Sequence, residues 1–199
     1  MDHPDFSLPS SVADLAALCK MLEDQRPRLS AMVERRLDPA LRARIDPEDI
    51  LNEAFLEARR KWAGFRKQNE VSPYVWIYGI VRDCLIQVWR RENRSCREPK
   101  REMPWPEQSS VQLGLNLISH GASPSSAAAR GELQQRVRQA VEMLAEKDRE
   151  VLAMRHFDEL TFREIAQLLG LQEQAVTMRY VRALRRLKDL WQKLHEAEG

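Results

Sequence analysis

The sequence predicts an all-α protein of two small helical domains joined by a flexible linker, the second domain a helix-turn-helix. Three observations carry this. Apolar residues recur three and four apart nearly everywhere, and no sustained alternating run suggests a strand. Between about Glu98 and Ala129 the periodicity dissolves into REPKREMPWPEQSS and HGASPSSAAAR, where Pro, Ser, Gly and Ala dominate. The stretch from Thr161 to Trp191 then meets, in order, the requirements of a helix-turn-helix. The expected division is a domain over 1–97, a linker over 98–129 and a domain over 130–199. A chain of 199 residues, 43% hydrophobic and 31% charged, suits two soluble domains with modest cores.

In the first domain, Leu15, Leu18, Met21 and Leu22 stripe a helix that the charged stretch around Pro27 interrupts. Leu29, Met32, Val33 and Leu37 continue on a second, and Asp38-Pro39 breaks the chain. Asp46-Pro47 supplies a capping acceptor and a ring suited to the first helical position. Ile50, Leu51, Ala54, Phe55, Ala58 and Trp62 form the stripe that follows, and the helix should end near Gly64. Ser72-Pro73 repeats the start signal; Ile77, Ile80, Val81, Cys84, Leu85 and Val88 give one buried face. Within the linker, Val111, Leu113, Leu115 and Leu117 need cover, which a short turn around Val111 to Ile118 would give. Leu133, Val137, Val141 and Leu144 restart a helix, and Val151, Leu152 and Phe157 mark another.

In LTFREIAQLLGLQEQAVTMRYVRALRRLKDLW, Thr161 is a helix cap that Glu164, three residues on, completes as a capping box. Ile165, Ala166 and Leu169 face inward; small Ala166 allows close crossing, Gly170 the left-handed turn, Leu171 plugs the corner, and Val176 packs from the next helix. A plain amphipathic hairpin would not need Ala, Gly and an apolar residue in that order. On the last helix Val176, Tyr180, Ala183, Leu184, Leu187 and Trp191 form the core stripe, leaving Gln174, Thr177, Met178, Val181, Arg182 and Arg185 opposite. Gln174 and Thr177 suit base edges in a major groove, while Arg179, Arg182, Arg185 and Arg186 can reach phosphates or guanine.

Net charge is nearly balanced, 32 basic against 30 acidic residues, but the charges are segregated. Asp46 to Glu57 holds five acids and no base, Arg82 to Arg101 seven bases against three acids, and Val176 to Lys193 six bases against Asp189 alone. Such separation points to surfaces of opposite sign, with a solvated face as the plainer alternative. Cys19, Cys84 and Cys96 match no zinc or redox spacing and read as reduced thiols. No apolar run reaches the roughly 20 residues of a membrane span, and MDHPDFSLPSS lacks the basic and apolar regions of a signal peptide, so a cytoplasmic protein is expected. The acids Asp46 to Glu57 lack a histidine, nucleophile or further ligands, which argues against a metal site and a nucleic-acid enzyme. No catalytic residue, metal or cofactor is expected.

Two stretches together resemble the extracytoplasmic-function sigma factors, a branch of the sigma-70 family of bacterial RNA polymerase. LAEKDREVLAMRHFDELTFREIAQLLGLQEQAVTMRYVRALRRL is similar to the family's minus-35 binding domain. DPEDILNEAFLEARRKW and PYVWIYGIVRDCLIQVWRR are similar to the domain that grips polymerase and the minus-10 element. The resemblance implies an alternative sigma factor that directs promoter-specific initiation, with core RNA polymerase, promoter DNA and an anti-sigma protein as partners. It implies that Asp49, Asn52, Glu53 and Phe55 meet the polymerase clamp. It also implies that the Pro73 helix and the preceding loop, Phe65 to Ser72, catch a flipped minus-10 base. Trp76, Tyr78, Arg82, Trp89, Arg90 and Arg91 fall largely off the buried stripe of that helix, and their mix of rings and cations suits melted single-stranded DNA; for Trp76 a place in the core is the alternative. Asp83 is counted with these minus-10 residues, at a position where the family often has Asn, and Thr177 and Met178 stand where many members have a basic residue and Ser. The runner-up is a stand-alone helix-turn-helix repressor or activator.

Overall fold

The structure is a computed structural model and describes residues 12–37, 39–67, 71–92 and 127–196. All regular elements among these residues are helices. The chain divides into two compact units, Met1–Pro104 and Trp105–Gly199. Most of the expected linker, with the turn around Val111 to Ile118, lies outside the described residues.

In the first unit α1 (Val12–Arg36), α3 (Pro47–Lys67) and α4 (Pro73–Glu92) pack on one another, and α2 (Pro39–Arg42) is a single turn opened by its proline. The expected break at Pro27 does not occur: α1 is one helix of 25 residues with Pro27 inside it. Leu18 and Leu22 before the proline and Leu29, Met32 and Val33 after it lie buried on one stripe. Each such side chain contributes roughly 1.5–3 kcal/mol when buried, enough together to offset a proline cost of about 3 kcal/mol.

Helix α3 starts as its sequence dictates, with Asp46 Oδ1 accepting from the Glu48 amide at 2.9 Å. It does not end near Gly64 but runs on to Lys67. Gly64 keeps a helical backbone, and the turn after it is held by aromatic packing: the Phe65 ring stacks on Trp76 with centroids 4.3 Å apart, and Trp62 leans on both. Helix α4 is capped by Ser72, whose Oγ accepts from the Val75 amide at 3.2 Å. Its expected stripe is buried, and so are Tyr74, Val75, Tyr78 and Ile86, which widens the buried surface well past one face.

The second unit contains α5 (Ala127–Glu142), α6 (Glu146–His156), α7 (Phe162–Leu169) and α8 (Glu173–Glu196), with α8 packed against the other three. Val137, Ala140, Val141, Leu144, Leu152, Ala153, Phe157, Ala183 and Leu187 form its core. The capping box is present in both halves: Thr161 Oγ1 accepts from the Glu164 amide at 3.2 Å, and Glu164 accepts from the Thr161 amide at 2.7 Å. Gly170 takes the left-handed conformation at φ 62°, and the Leu171 amide closes the turn on the Ala166 carbonyl at 2.9 Å. Leu171 itself does not plug the corner; it is 36% exposed, while Ile165, Ala166 and Val176 are the buried residues there.

Candidate functional site

Asp49, Asn52 and Glu53 are exposed on one face of α3, while Phe55 is half-buried beneath the Arg26 guanidinium, 5.4 Å from its ring centre. The acids of this run have different fates. Asp46 is a cap, and Glu48 pairs with Arg26. Glu57 pairs with Arg60 and Lys61, each at 3.1 Å; burial works to raise its carboxyl pKa, but hydrogen bonds from Lys61 and Arg60 prevail and hold it below the usual value. Asp49 and Glu53 have no ion-pair partner among the described residues. A residue that the sequence reading passed over completes this face. Leu56, four residues after Asn52 and three after Glu53, is 52% exposed. Its signal was present: it is a large apolar residue of α3 that falls off the Ile50, Leu51, Ala54, Phe55, Ala58 and Trp62 stripe.

On α4 the expected surface of rings and cations separates into two lines. Trp76, Asp83, Gln87 and Arg90, spaced seven, four and three apart, form the outward line; Trp76 is half-buried and the other three are exposed. Tyr78, Arg82 and Trp89, spaced four and seven apart, lie around the helix from it. Tyr78 is fully buried, with Tyr74 beside it at 6.0 Å between centroids, so it stands inside the core and offers no ring to a base; this corrects its placement off the buried stripe. Arg82 and Trp89 are half-buried and Arg91 exposed. The Trp76 ring is stacked on Phe65 and half-buried. Gln87 was missed, since its residue type carries no signal and only its position on the outward line does. Residues 68–70 of the preceding loop lie outside the described residues.

The Cys84 thiol is pushed up to about 11, first by burial and then by the negative charges of Glu53, Asp83 and Glu57. Asp83 is exposed, its Oδ1 4.0 Å from Nη1 of Arg82. Among the described residues no three His, Cys, Asp or Glu side chains stand together as metal ligands.

Helix α8 turns Val176, Ala183 and Leu187 fully inward and Tyr180, Leu184 and Trp191 partly so. Opposite them, Gln174, Met178, Arg182 and Arg185 are exposed, with Thr177, Arg179 and Val181 half-buried along the flanks. Thr177 Oγ1 donates to the Glu173 carbonyl at 3.0 Å, and Arg182 Nε to the Met178 carbonyl at 3.2 Å. Arg186 differs from the other cations. It pairs with Asp148 of α6 at 2.5 Å, and that carboxylate is 4% exposed, so Arg186 ties α8 to α6. A second tie joins three helices: Tyr180 Oη lies 3.0 Å from His156 Nε2, and the Phe162 ring meets Tyr180 edge-on at 5.2 Å. Burial lowers the His156 pKa, with Arg155 adding to the effect, and burial raises that of Tyr180.

Comparison with known proteins bears on both units. Residues 21–95 match the family description "Sigma-70 region 2", and residues 134–187 match "Sigma-70, region 4". The chain is 27% identical over 138 residues to the RNA polymerase sigma-H factor of Pseudomonas aeruginosa, covering 69% of each. It is 27% identical over 138 residues to the ECF RNA polymerase sigma-E factor of Escherichia coli, covering 69% of this chain and 70% of that one. With the ECF RNA polymerase sigma factor SigD of Mycobacterium tuberculosis, identity is 27% over 177 residues, 88% of this chain and 77% of the relative. Among solved structures, the sigma factor RpoE in complex with the anti-sigma factor NepR from Bartonella quintana aligns with a TM-score of 0.44 and 17% identity, over 92% of this chain and 98% of that one.

Proposed function

The chain belongs to the sigma-70 family as an alternative sigma factor of the extracytoplasmic-function type, directing transcription initiation by bacterial RNA polymerase, and from that premise we propose how its surfaces divide the work. By family it is a regulatory initiation factor rather than an enzyme. Residues 1–97 act as the polymerase-binding and minus-10 domain, 98–129 as the linker, and 130–199 as the minus-35 domain. The polymerase clamp docks on α3 through Asp49, Asn52 and Glu53, with Leu56 as the apolar centre and Phe55, half-buried under Arg26, at the margin. Rings and cations enter minus-10 DNA from α4 through Trp76, Arg90 and Arg91, with Arg82 and Trp89 at the margin. Asp83, exposed on the same outward line as Trp76 and Arg90, belongs to this minus-10 face. On α8, Gln174, Thr177, Met178 and Val181 face bases while Arg179, Arg182 and Arg185 hold phosphates. An anti-sigma protein as regulator and a place in the cytoplasm, where polymerase works, complete the reading. No helix among the described residues is long and apolar enough to cross a membrane.

The observation that carries the docking surface is that, among the described residues, Asp49 and Glu53 have no ion-pair partner and flank an exposed leucine, whereas Asp46 is a cap and Glu48 and Glu57 are paired. Exposed carboxylates around an apolar centre have the anatomy of a protein interface, a polar rim about a hydrophobic anchor. The test is promoter-specific run-off transcription by core polymerase with and without the protein, alongside binding of the protein to core polymerase. Asp49→Lys should weaken core binding at least tenfold and lower run-off product in step, by reversing a charge in a complementary interface. Equal affinity of wild type and Asp49→Lys for core polymerase would sink the docking surface. Tight binding to duplex DNA without any initiation would favour the stand-alone regulator.

A further inference from the structure

We propose that this protein selects thymine in the minus-35 element through the 5-methyl group of the base, with Met178 as the reading side chain and Val181 beside it. The inference rests on the placement of α8 in the minus-35 major groove proposed above. Its starting point is the unusual outward face of that helix. A recognition helix touches base edges mainly with its N-terminal turns. Here those turns present Gln174, Thr177, Met178 and Val181, and the exposed cations begin only at Arg182. Met178 is 53% exposed, an apolar side chain held in water at the middle of the face, one turn after Gln174 and one turn before Arg182.

The neighbours narrow what can cover it. Thr177 gives its hydroxyl proton to the Glu173 carbonyl, which leaves it no donor to offer a base. Arg182 sends its Nε back to the Met178 carbonyl, so its own backbone anchors it in the turn that follows. Arg179, Arg182 and Arg185 together give the surroundings the positive charge that a nucleic-acid duplex complements, so the occupant is duplex DNA. In the major groove thymine alone carries a methyl group, whereas guanine, cytosine and adenine present donors and acceptors there. An apolar thioether laid against those polar edges would strip them of water and return no hydrogen bond. Met178 thus favours thymine by contact and disfavours the other bases by desolvation. Gln174, one turn earlier, has the amide that pairs with both major-groove atoms of adenine. The preferred element therefore places an adenine beside the thymine under Met178.

The experiment uses holoenzyme reconstituted from core polymerase and the full chain. Promoter duplexes randomised across the minus-35 element are selected for binding, and each thymine of the winning sequence is then replaced singly by deoxyuridine, which removes the methyl group and nothing else. At one or two positions the replacement should lower affinity about fourfold, the worth of one buried methyl group. Met178→Ala should bind thymine and deoxyuridine alike at that position, and Met178→Leu should keep the preference. Indifference to deoxyuridine at every position, or a penalty that persists in Met178→Ala, overturns the proposal while leaving α8 as the recognition helix. No enrichment of any minus-35 sequence, with Arg182→Ala binding as well as wild type, overturns the placement of α8 itself.

Discussion

Gly64 and Gly170 hold opposite backbone states, and one substitution should move them in opposite directions. A methyl group added at either meets nothing within 4 Å, so backbone conformation alone decides the outcome. Gly64 lies inside α3 with a helical backbone, where alanine is favoured over glycine by about 1 kcal/mol. Gly170 sits at φ 62°, a state that costs an L-residue about 1–2 kcal/mol. Gly64→Ala should raise the urea midpoint of the first unit, and Gly170→Ala should lower that of the second by a similar amount. A drop for Gly64→Ala would mean that the helix past that point is not held as described. Gly170 could be read from its neighbours because the helix-turn-helix fixes which residue must turn left-handed. Gly64 was misread because what carries the chain past it, Phe65 on Trp76, comes from a different helix.

The same division between local and distant causes explains the helices. Their starts were legible, since the capping atoms are close in sequence: Asp46 to Glu48, Ser72 to Val75, Thr161 to Glu164. Their ends and continuations were not, because packing decides them. Helix α1 passes through Pro27 since residues on both sides share one buried stripe, and nothing within a turn of the proline announces it. The proline remains a local burden carried by tertiary contacts. Pro27→Ala should therefore stabilise the first unit, by up to about 3 kcal/mol, read as a higher thermal midpoint. An unchanged or lower midpoint would indicate that the ring itself contributes packing, which its exposure argues against. Helix α4 teaches a complementary lesson. Its period gave one buried face, but it is covered on more than one side, so Tyr78 went to the core and the outward line fell on Trp76, Asp83, Gln87 and Arg90.

Across the molecule, the segregated charges seen in the sequence recur as surfaces, with assignments that only side-chain partners decide. The acidic run separates into one cap, two paired acids and two carboxylates that have no ion-pair partner among the described residues and flank Leu56, a residue whose exposure no charge count would find. The basic run on α8 separates likewise: Arg182, Arg185 and Arg186 are all exposed, but Arg186 alone of the three is paired with a buried carboxylate among the described residues. That tie has a thermodynamic consequence. A side chain that neutralises a DNA phosphate releases condensed counterions, and each such contact adds about 0.9 to the steepness with which log affinity falls against log salt. Arg185→Ala should flatten that dependence for promoter binding by about one contact. Arg186→Ala should leave the slope alone and instead lower the melting temperature of the second unit, since Asp148 would lose its partner. A flattened slope for Arg186→Ala would assign this cation to phosphate after all. The ionic-strength profile of promoter binding thus counts the arginines that reach the duplex and passes over the one whose charge is already answered within the fold.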